Sequence, residues 1–248
     1  MRNLEAVITC VGYGDFLAAT LPTNKGLFDY VVVVTTTEDK VTQRICEFWG
    51  VHVITTDRYR TKEGSFCKGA GINEGLKVLD RTGFVVQMDA DILLPPLTRR
   101  LLNDADLDPS FIYGLDRMMC RSFEEWQGFV VNPRLQQEND IYVHTSAFPI
   151  GVRIATSKGK YHGYVPIGFF QMWHPTVSGV TAYPEEHTDA GRGDMIFASN
   201  WPRNKRSMIP EVIAYHLESE PAKMGINWKG RKTKTFGPES GGAVVNAG

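Results

Sequence analysis

Apolar and polar positions along the first hundred residues follow two alternating rhythms. Short, nearly continuous apolar runs rich in β-branched residues occur at Ala6 to Val11, Tyr30 to Thr35, Val51 to Thr55 and Gly83 to Met88. Between them apolar positions recur at helical spacing, as with Val41, Ile45 and Phe48 or Trp49. The runs predict strands, and the intervals predict helices starting near Asp15 or Phe16, spanning about Glu38 to Trp49 with Gly50 closing it, and spanning Phe66 to Leu79. The consecutive valines Val31 to Val34 suit a strand buried on both faces. Strand and helix in strict alternation predict βαβ units, hence an α/β fold class with a central, mostly parallel sheet flanked by helices.

Beyond the fourth strand, Pro95 and Pro96 stop the extended run, and Leu97 to Leu102 begins another helical segment. After about residue 105 the pattern loosens into aromatics, glycines and prolines between short apolar runs, as expected of shaped, substrate-facing loops. Glu211 to Leu217 reads as a last strand. The stretch from Ala222 to Phe236 carries Lys223, Lys229, Arg231, Lys232 and Lys234, and Gly237 to Gly248 is small and polar enough to fray. These shifts predict a single domain over 1–236, with a change of character near 104, a basic segment over 222–236 and a flexible tail over 237–248. A chain of 248 residues can bury a core of its own as one unit.

Composition narrows the class without choosing a function. Hydrophobic residues at 42% and charged residues at 22% are ordinary globular usage, which disfavours disorder and fibrous classes. A formal net charge of −1 offers no global attraction to nucleic acid or anionic membrane. The N-terminal apolar stretch is too short and wrongly flanked for a signal peptide, and no run approaches the roughly 18 apolar residues of a spanning helix. Cys10, Cys46, Cys67 and Cys120 are scattered, without the paired spacing of zinc sites or the density of a disulfide framework. A soluble, cytoplasmic protein with reduced thiols is the expectation.

The sharpest chemical feature is Asp89-Ala90-Asp91, which follows directly on the predicted fourth strand. In open α/β sheets ligands bind in the crevice outside the carboxyl ends of the strands. Two carboxylates one residue apart repel each other unless something neutralises them, and both can reach one hard cation. A divalent ion would leave coordination positions for phosphate oxygens, so the pair suits a diphosphate site. The alternative is a solvated acidic turn.

At these residues the chain resembles the GT-A fold glycosyltransferases of the family-2 type, whose Asp-X-Asp motif ends a central strand. The resemblance covers most of the chain, and the middle only in outline. It implies a Rossmann-like GT-A fold, with 1–104 as the nucleotide-sugar-binding half and 105–221 as the acceptor-side half. It also implies Mn2+ or Mg2+ at Asp89 and Asp91. Val7 to Leu21 resembles the first strand and loop that meet the nucleoside, which nominates Thr9, Val11, Tyr13 and Asp15. The turn Thr35 to Asp39, with Thr36, and Asp57 resemble the places that recognise base and ribose. A turn-forming role for Asp57 and a strand-ending role for the threonines stay open. The segment Phe66 to Leu76, reading FCKGAGINEGL, resembles the Lys-Gly-X-X-X-Asn-X-Gly-Leu helix before the metal motif. Its small residues would allow close approach to sheet and nucleotide, with Lys68 on phosphate and Asn73 near the metal acids. A packing helix with a surface lysine is the plainer reading.

Further along, Gly191 to Phe197 resembles the acidic helix start that keeps the catalytic base of inverting members. Asp194 is the candidate, with Gly193 beside it and Asp189 as runner-up; a helix N-cap role for Asp194 is compatible. His216 resembles the late histidine that completes the metal site, beside the reading of a buried strand histidine. Trp228, Lys229 and Arg231 would cover the diphosphate, unless the segment is a solvated basic tail. Gln171 and Trp173 lie in an aromatic run able to line a sugar or acceptor cleft, although such runs are more often core. Together these imply transfer from a nucleotide-sugar, a UDP-sugar favoured, to the hydroxyl of an acceptor such as a glycan, lipid-linked sugar, protein or modified nucleobase in DNA. The other readings are a sugar-phosphate nucleotidyltransferase, which VGYGDF disfavours by lacking a basic residue, and a non-catalytic carbohydrate- or nucleic-acid-binding module.

Overall fold

The protein, seen in a computed structural model, is described over residues 2–60, 66–131, 153–154, 163–185, 193–221 and 230–238. Its strands are β1 (Leu4–Thr9), β2 (Tyr30–Thr35), β3 (His52–Thr55), β4 (Phe84–Asp89), β5 (Ile92–Leu93), β6 (Ile112–Cys120), β7 (Arg153–Ile154), β8 (Gly163–Tyr164), β9 (Phe170–Trp173) and β10 (Arg206–Leu217). The helices are α1 (Gly14–Asn24), α2 (Lys40–Trp49), α3 (Lys68–Leu76), α4 (Thr98–Asp104), α5 (Phe123–Val131), α6 (Pro175–Ser178) and α7 (Gly193–Ala198).

One sheet runs in the order β3-β2-β1-β4-β9-β6-β10-β5, and β7 pairs with β8 apart from it. Strands β1, β2, β3, β4, β6 and β10 point one way, with β9 and β5 against them. The class is therefore α/β with a mostly parallel central sheet flanked by helices, as the strand and helix rhythm predicts. From β1 the chain winds outward to β2 and β3, then returns to lay β4 on the other side of β1. That reversal is a topological switch point, where the carboxyl ends of two neighbouring strands open a crevice. Register sets Thr9 beside Asp89 there.

Alternation along the central strands supplies both faces of the sheet. Ile8, Val33, Val86 and Met88 meet Leu17 and Leu21 of α1 and Cys46 of α2. Val7, Val34, Val85 and Trp173 meet Ile72 and Leu76 of α3 and Phe197 of α7. The valines of β2 are buried throughout, as a two-sided strand requires. Asp39 caps α2 by accepting from Thr42 N–H at 3.0 Å, and Gly50 closes it at φ 63°, a left-handed conformation that favours glycine. All four cysteines are free and buried. Among the described residues no helix is long and apolar enough to cross a membrane.

Three elements depart from the sequence pattern. Helix α3 starts at Lys68, because Phe66 forms a bridge with Arg60 and stacks on Tyr59 instead of joining the helix. Strand β10 begins at Arg206 and not at Glu211; a register shift between Met208 and Ile213 absorbs Pro210, whose missing N–H hides the strand from the pattern. The aromatic run at Phe170 to Trp173 is a central antiparallel strand, and Gln171 and Trp173 are fully buried. They lie in the core and not in a sugar or acceptor cleft, since a strand between β4 and β6 is covered on both faces.

Candidate active site

A cleft of about 550 Å³ opens over the β1 and β4 ends. Of the residues nominated from sequence, Thr9, Val11, Tyr13, Lys68, Asp89, Ala90, Asp91, Asp194, His216 and Arg231 line it. Residues 9 to 231 in sequence thus reach one place through β1, α3, β4, α7, β10 and the C-terminal segment.

The acidic turn is held from below. Thr20 of α1 donates to Ala90 C=O at 2.7 Å, and Asn24 donates to Ile92 C=O at 2.7 Å while accepting from Leu94 N–H at 3.0 Å. Both side chains are fully buried, so the fold of the turn is fixed by paired polar groups in an apolar setting. Leu217 N–H donates to Asp91 C=O at 2.9 Å, which ties the turn to the end of β10.

Charge around the turn is closely balanced. Lys68 Nζ pairs with Asp89 and donates to Gly168 C=O at 2.8 Å. Asp91 Oδ2 lies 3.3 Å from His216 Nε2. Arg117 Nη1 lies 2.8 Å from His216 Nδ1, and its guanidinium sits 4.5 Å from the Phe169 ring centre. A guanidinium only donates, so Nδ1 accepts, and the proton of a neutral His216 ring falls on Nε2, facing Asp91. Burial pushes Asp89 above the usual carboxylate range, with the Asp91 charge adding to it against Lys68. Burial acts on Asp91 in the same sense, but His216 and Lys68 outweigh it and hold Asp91 below that range.

Asp194 stands apart from this pair, on the first turn of α7. Its Oδ2 accepts from Gly168 N–H at 2.7 Å and its Oδ1 from Met195 N–H at 2.7 Å. Burial raises its pKa above the usual 3.8, against the lowering effect of the Gly168 hydrogen bond and Lys68. A partly buried carboxylate with raised basicity at a cleft is suited to taking a proton from a hydroxyl.

The donor set suits a hard divalent cation in part. Asp91 Oδ1 is buried without a hydrogen-bond partner among the described residues, an acceptor that a cation would satisfy. Asp89 is beside it, already balanced by a cationic side chain. His216 would coordinate through Nε2 only on releasing the proton that faces Asp91. As the side chains stand, no group of three or more His, Cys, Asp or Glu residues among those described forms a metal cluster.

The chain is similar in structure to glucosyl-3-phosphoglycerate synthase from Mycobacterium tuberculosis. With that enzyme in complex with UDP the identity is 14% and the TM-score 0.48, over 91% of this chain and 74% of that one. Mannosyl-3-phosphoglycerate synthase from Rubrobacter xylanophilus matches at 18% identity and TM-score 0.38, over 48% and 41% of the two chains. A nucleotidyl transferase from Methanothermobacter thermautotroptrophicus matches at 17% identity and TM-score 0.35, over 47% and 63%. The chain spans less than two thirds of the last two proteins. No family model and no curated protein matches it.

Several nominated residues lie elsewhere. Asn73 does not approach the acids; it brackets Tyr183, donating to its C=O at 2.9 Å and accepting from its N–H at 2.7 Å, and reaches Glu185. Thr36 and Asp57 do not line the cleft; Asp57 accepts from Thr37 Oγ1 instead, a link between the loops that follow β2 and β3. Gly193 is buried at the start of α7, outside the lining. Asp15 is taken up by Arg231, whose Nη1 and Nη2 lie 2.5 and 2.7 Å from its two oxygens, with the guanidinium against Tyr13 and Phe16. Arg231 thus folds the C-terminal segment over the β1–α1 loop. Asp189, Trp228 and Lys229 lie outside the described residues. Of the aromatic run, Ile167, Gly168 and Phe169 do line the cleft; sequence reasoning missed Arg60, Arg117, Glu218 and Ser219, which line it too. For Arg117 a signal existed, since Asp116-Arg117 interrupts the apolar run of a strand, where buried charge is rare without a purpose.

Proposed function

We propose that this protein is a metal-dependent glycosyltransferase that moves a sugar from a nucleotide-sugar, a UDP-sugar being the favoured donor, to an acceptor hydroxyl with inversion at the anomeric carbon. One observation carries the reading. Two neighbouring, partly buried carboxylates, one paired with Lys68 and the other beside His216, and a third carboxylate of raised basicity on another element, share one cleft at the switch point of the sheet.

In this reading 1–104 bind the donor and 105–221 face the acceptor. Asp89 and Asp91 would hold Mn2+ or Mg2+, Asp91 through its unpartnered oxygen and His216 by steering Asp91 or joining it. Bound there, the cation supplies charge for the diphosphate and for the departing nucleoside diphosphate. Lys68 and Arg117 offer donors to phosphate oxygens. Thr9, Val11 and Tyr13 meet the nucleoside along the edge of the cleft, and Arg231 covers it. Asp194 accepts the proton of the acceptor hydroxyl as that oxygen attacks the anomeric carbon.

The test is incubation with Mn2+ and a panel of nucleotide-sugars, following release of the nucleoside diphosphate with water or an added hydroxyl compound as acceptor. Release from one UDP-sugar, stopped by chelation and by Asp91→Asn, is the expected result. Absence of both release and nucleoside diphosphate binding across the panel overturns the reading.

A further inference from the structure

In the middle of the sheet, two glutamines sit side by side among apolar neighbours. Gln87 of β4 and Gln171 of β9 are register partners, and both are fully buried. Their neighbours along the same face are Val85 and Trp173, themselves register partners. Packing alone calls for apolar side chains here, because a buried amide is costly unless its hydrogen bonds are made. Gln87 Nε2 donates to Gly168 C=O at 2.8 Å.

Gln171 makes more of its bonds and aims them at one target. Its Nε2 donates to Pro166 C=O at 2.8 Å and to Asp194 C=O at 3.1 Å, and its Oε1 accepts from Tyr183 O–H at 2.8 Å. One amide group therefore joins the loop ahead of β9 to the first turn of α7. These are the two pieces of chain whose approach lets Asp194 Oδ2 accept from Gly168 N–H. The fit between them is tight: a Cβ added at Gly168 would lie 3.0 Å from Asp194 Cβ. Tyr183 is also buried, and its hydroxyl sets which end of the Gln171 amide faces Asp194.

We infer that Gln171 is a positioning residue for Asp194, its amide pinning the first turn of α7 to the Pro166–Gly168 loop so that the Asp194 carboxylate is held at the cleft in one orientation. The inference rests on the reading of Asp194 as the base. It assigns Gln171 a role in chemistry and not in donor binding, since it touches no cleft surface.

The test uses the full chain, Mn2+ and the UDP-sugar found active in the panel, with Gln171→Met, which keeps the length of the side chain and removes its hydrogen bonds. Turnover is expected to fall roughly 10- to 100-fold, while the KM for the UDP-sugar and the affinity for UDP change less than about twofold. The acid limb of the rate profile should also move to higher pH, because the Gly168 hydrogen bond that lowers the Asp194 pKa is loosened. The charged and titratable groups around Asp194 (Lys68 of α3, Asp89 of β4, Arg117 of β6 and Tyr183) are the same in both proteins. Tyr183→Phe, a smaller change that spares Gln171, should shift turnover and acid limb in the same direction by less, and it serves if Gln171→Met does not fold. Wild-type turnover and acid limb in the variants that fold, with Asp194→Asn inactive, would overturn the positioning role. An equal loss in UDP affinity and turnover would overturn it too. Wild-type turnover in Asp194→Asn would instead remove the base assignment itself.

Discussion

Asp194 shows how one carboxylate is given both a fixed direction and a raised basicity. Two backbone N–H groups, from Gly168 and Met195, hold its oxygens, while burial disfavours its charge more than those bonds and Lys68 favour it. As a base it must be ionised, so the rate should rise with pH through its folded pKa. Because that pKa is raised, the acid limb should lie above 3.8, the ordinary value for an aspartate. Asp194→Asn should lower turnover by about 10²- to 10⁴-fold and abolish that limb, with UDP affinity intact. Rate measurements from pH 4 to 8 on both proteins, with calorimetric titration of UDP, check this. Nothing in the residues around Asp194 in sequence specified the bond to Gly168. That contact joins positions 26 apart, and a lone Asp before Met-Ile-Phe reads equally as a helix cap.

At the scale of the element, α1 and α3 perform opposite tasks through opposite residue types. Helix α3 gains proximity from missing side chains. A Cβ on Gly71 would lie 2.2 Å from the Tyr59 ring, and one on Gly75 would lie 2.5 Å from Val7 of β1. Gly71→Ala should therefore destabilise the fold by about 1–3 kcal/mol through overpacking, despite the better helix propensity of alanine. A lower urea midpoint at unchanged slope is the expected reading. Helix α1 instead supplies polar groups. Asn24→Ala would leave Ile92 C=O and Leu94 N–H buried and unpaired beneath the acidic turn, at a cost of about 1–3 kcal/mol for each group. The variant should bind UDP and Mn2+ more weakly than its loss of stability alone explains, as titration near its most stable temperature would show. The glycines of α3 were legible, since they stand in a motif and glycine in a helix is unfavourable by itself. Asn24 was not, because one polar residue on a helix looks the same in sequence whether it meets water or a buried turn.

Across the whole molecule, what the sequence made legible was local and periodic. The strands β1 to β4 and the helices between them follow from spacing, and their alternation gives the switch point that places Asp89 and Asp91. Residues brought together by long returns of the chain were not legible. Arg117 and His216 meet across 99 positions, and Asp15 and Arg231 across 216, and no periodicity carries such pairings. The same kind of long-range pairing governs acid stability at the other end of the sheet. Asp29, in the turn before β2, accepts from Leu4 N–H of β1 at 2.8 Å and pairs with Arg99 of α4 at 2.9 Å. Its slight burial raises its pKa, but the Leu4 hydrogen bond and Arg99 outweigh that and set it below the ordinary 3.8. A carboxylate with a lowered folded pKa stabilises the native state above its unfolded pKa, and this contribution is lost as pH falls through the folded value. Asp29→Asn should therefore be less stable than the parent at pH 7, by an amount that holds down to about pH 5 and shrinks steadily below it as the parent's Asp29 becomes protonated. Because Asp29 is about half exposed, salt should reduce the difference at pH 7. Urea midpoints of the two proteins from pH 7 to 3, at low and high salt, give the comparison; a gap that does not close in acid would show that the Asp29 charge contributes nothing to holding β1, β2 and α4 together.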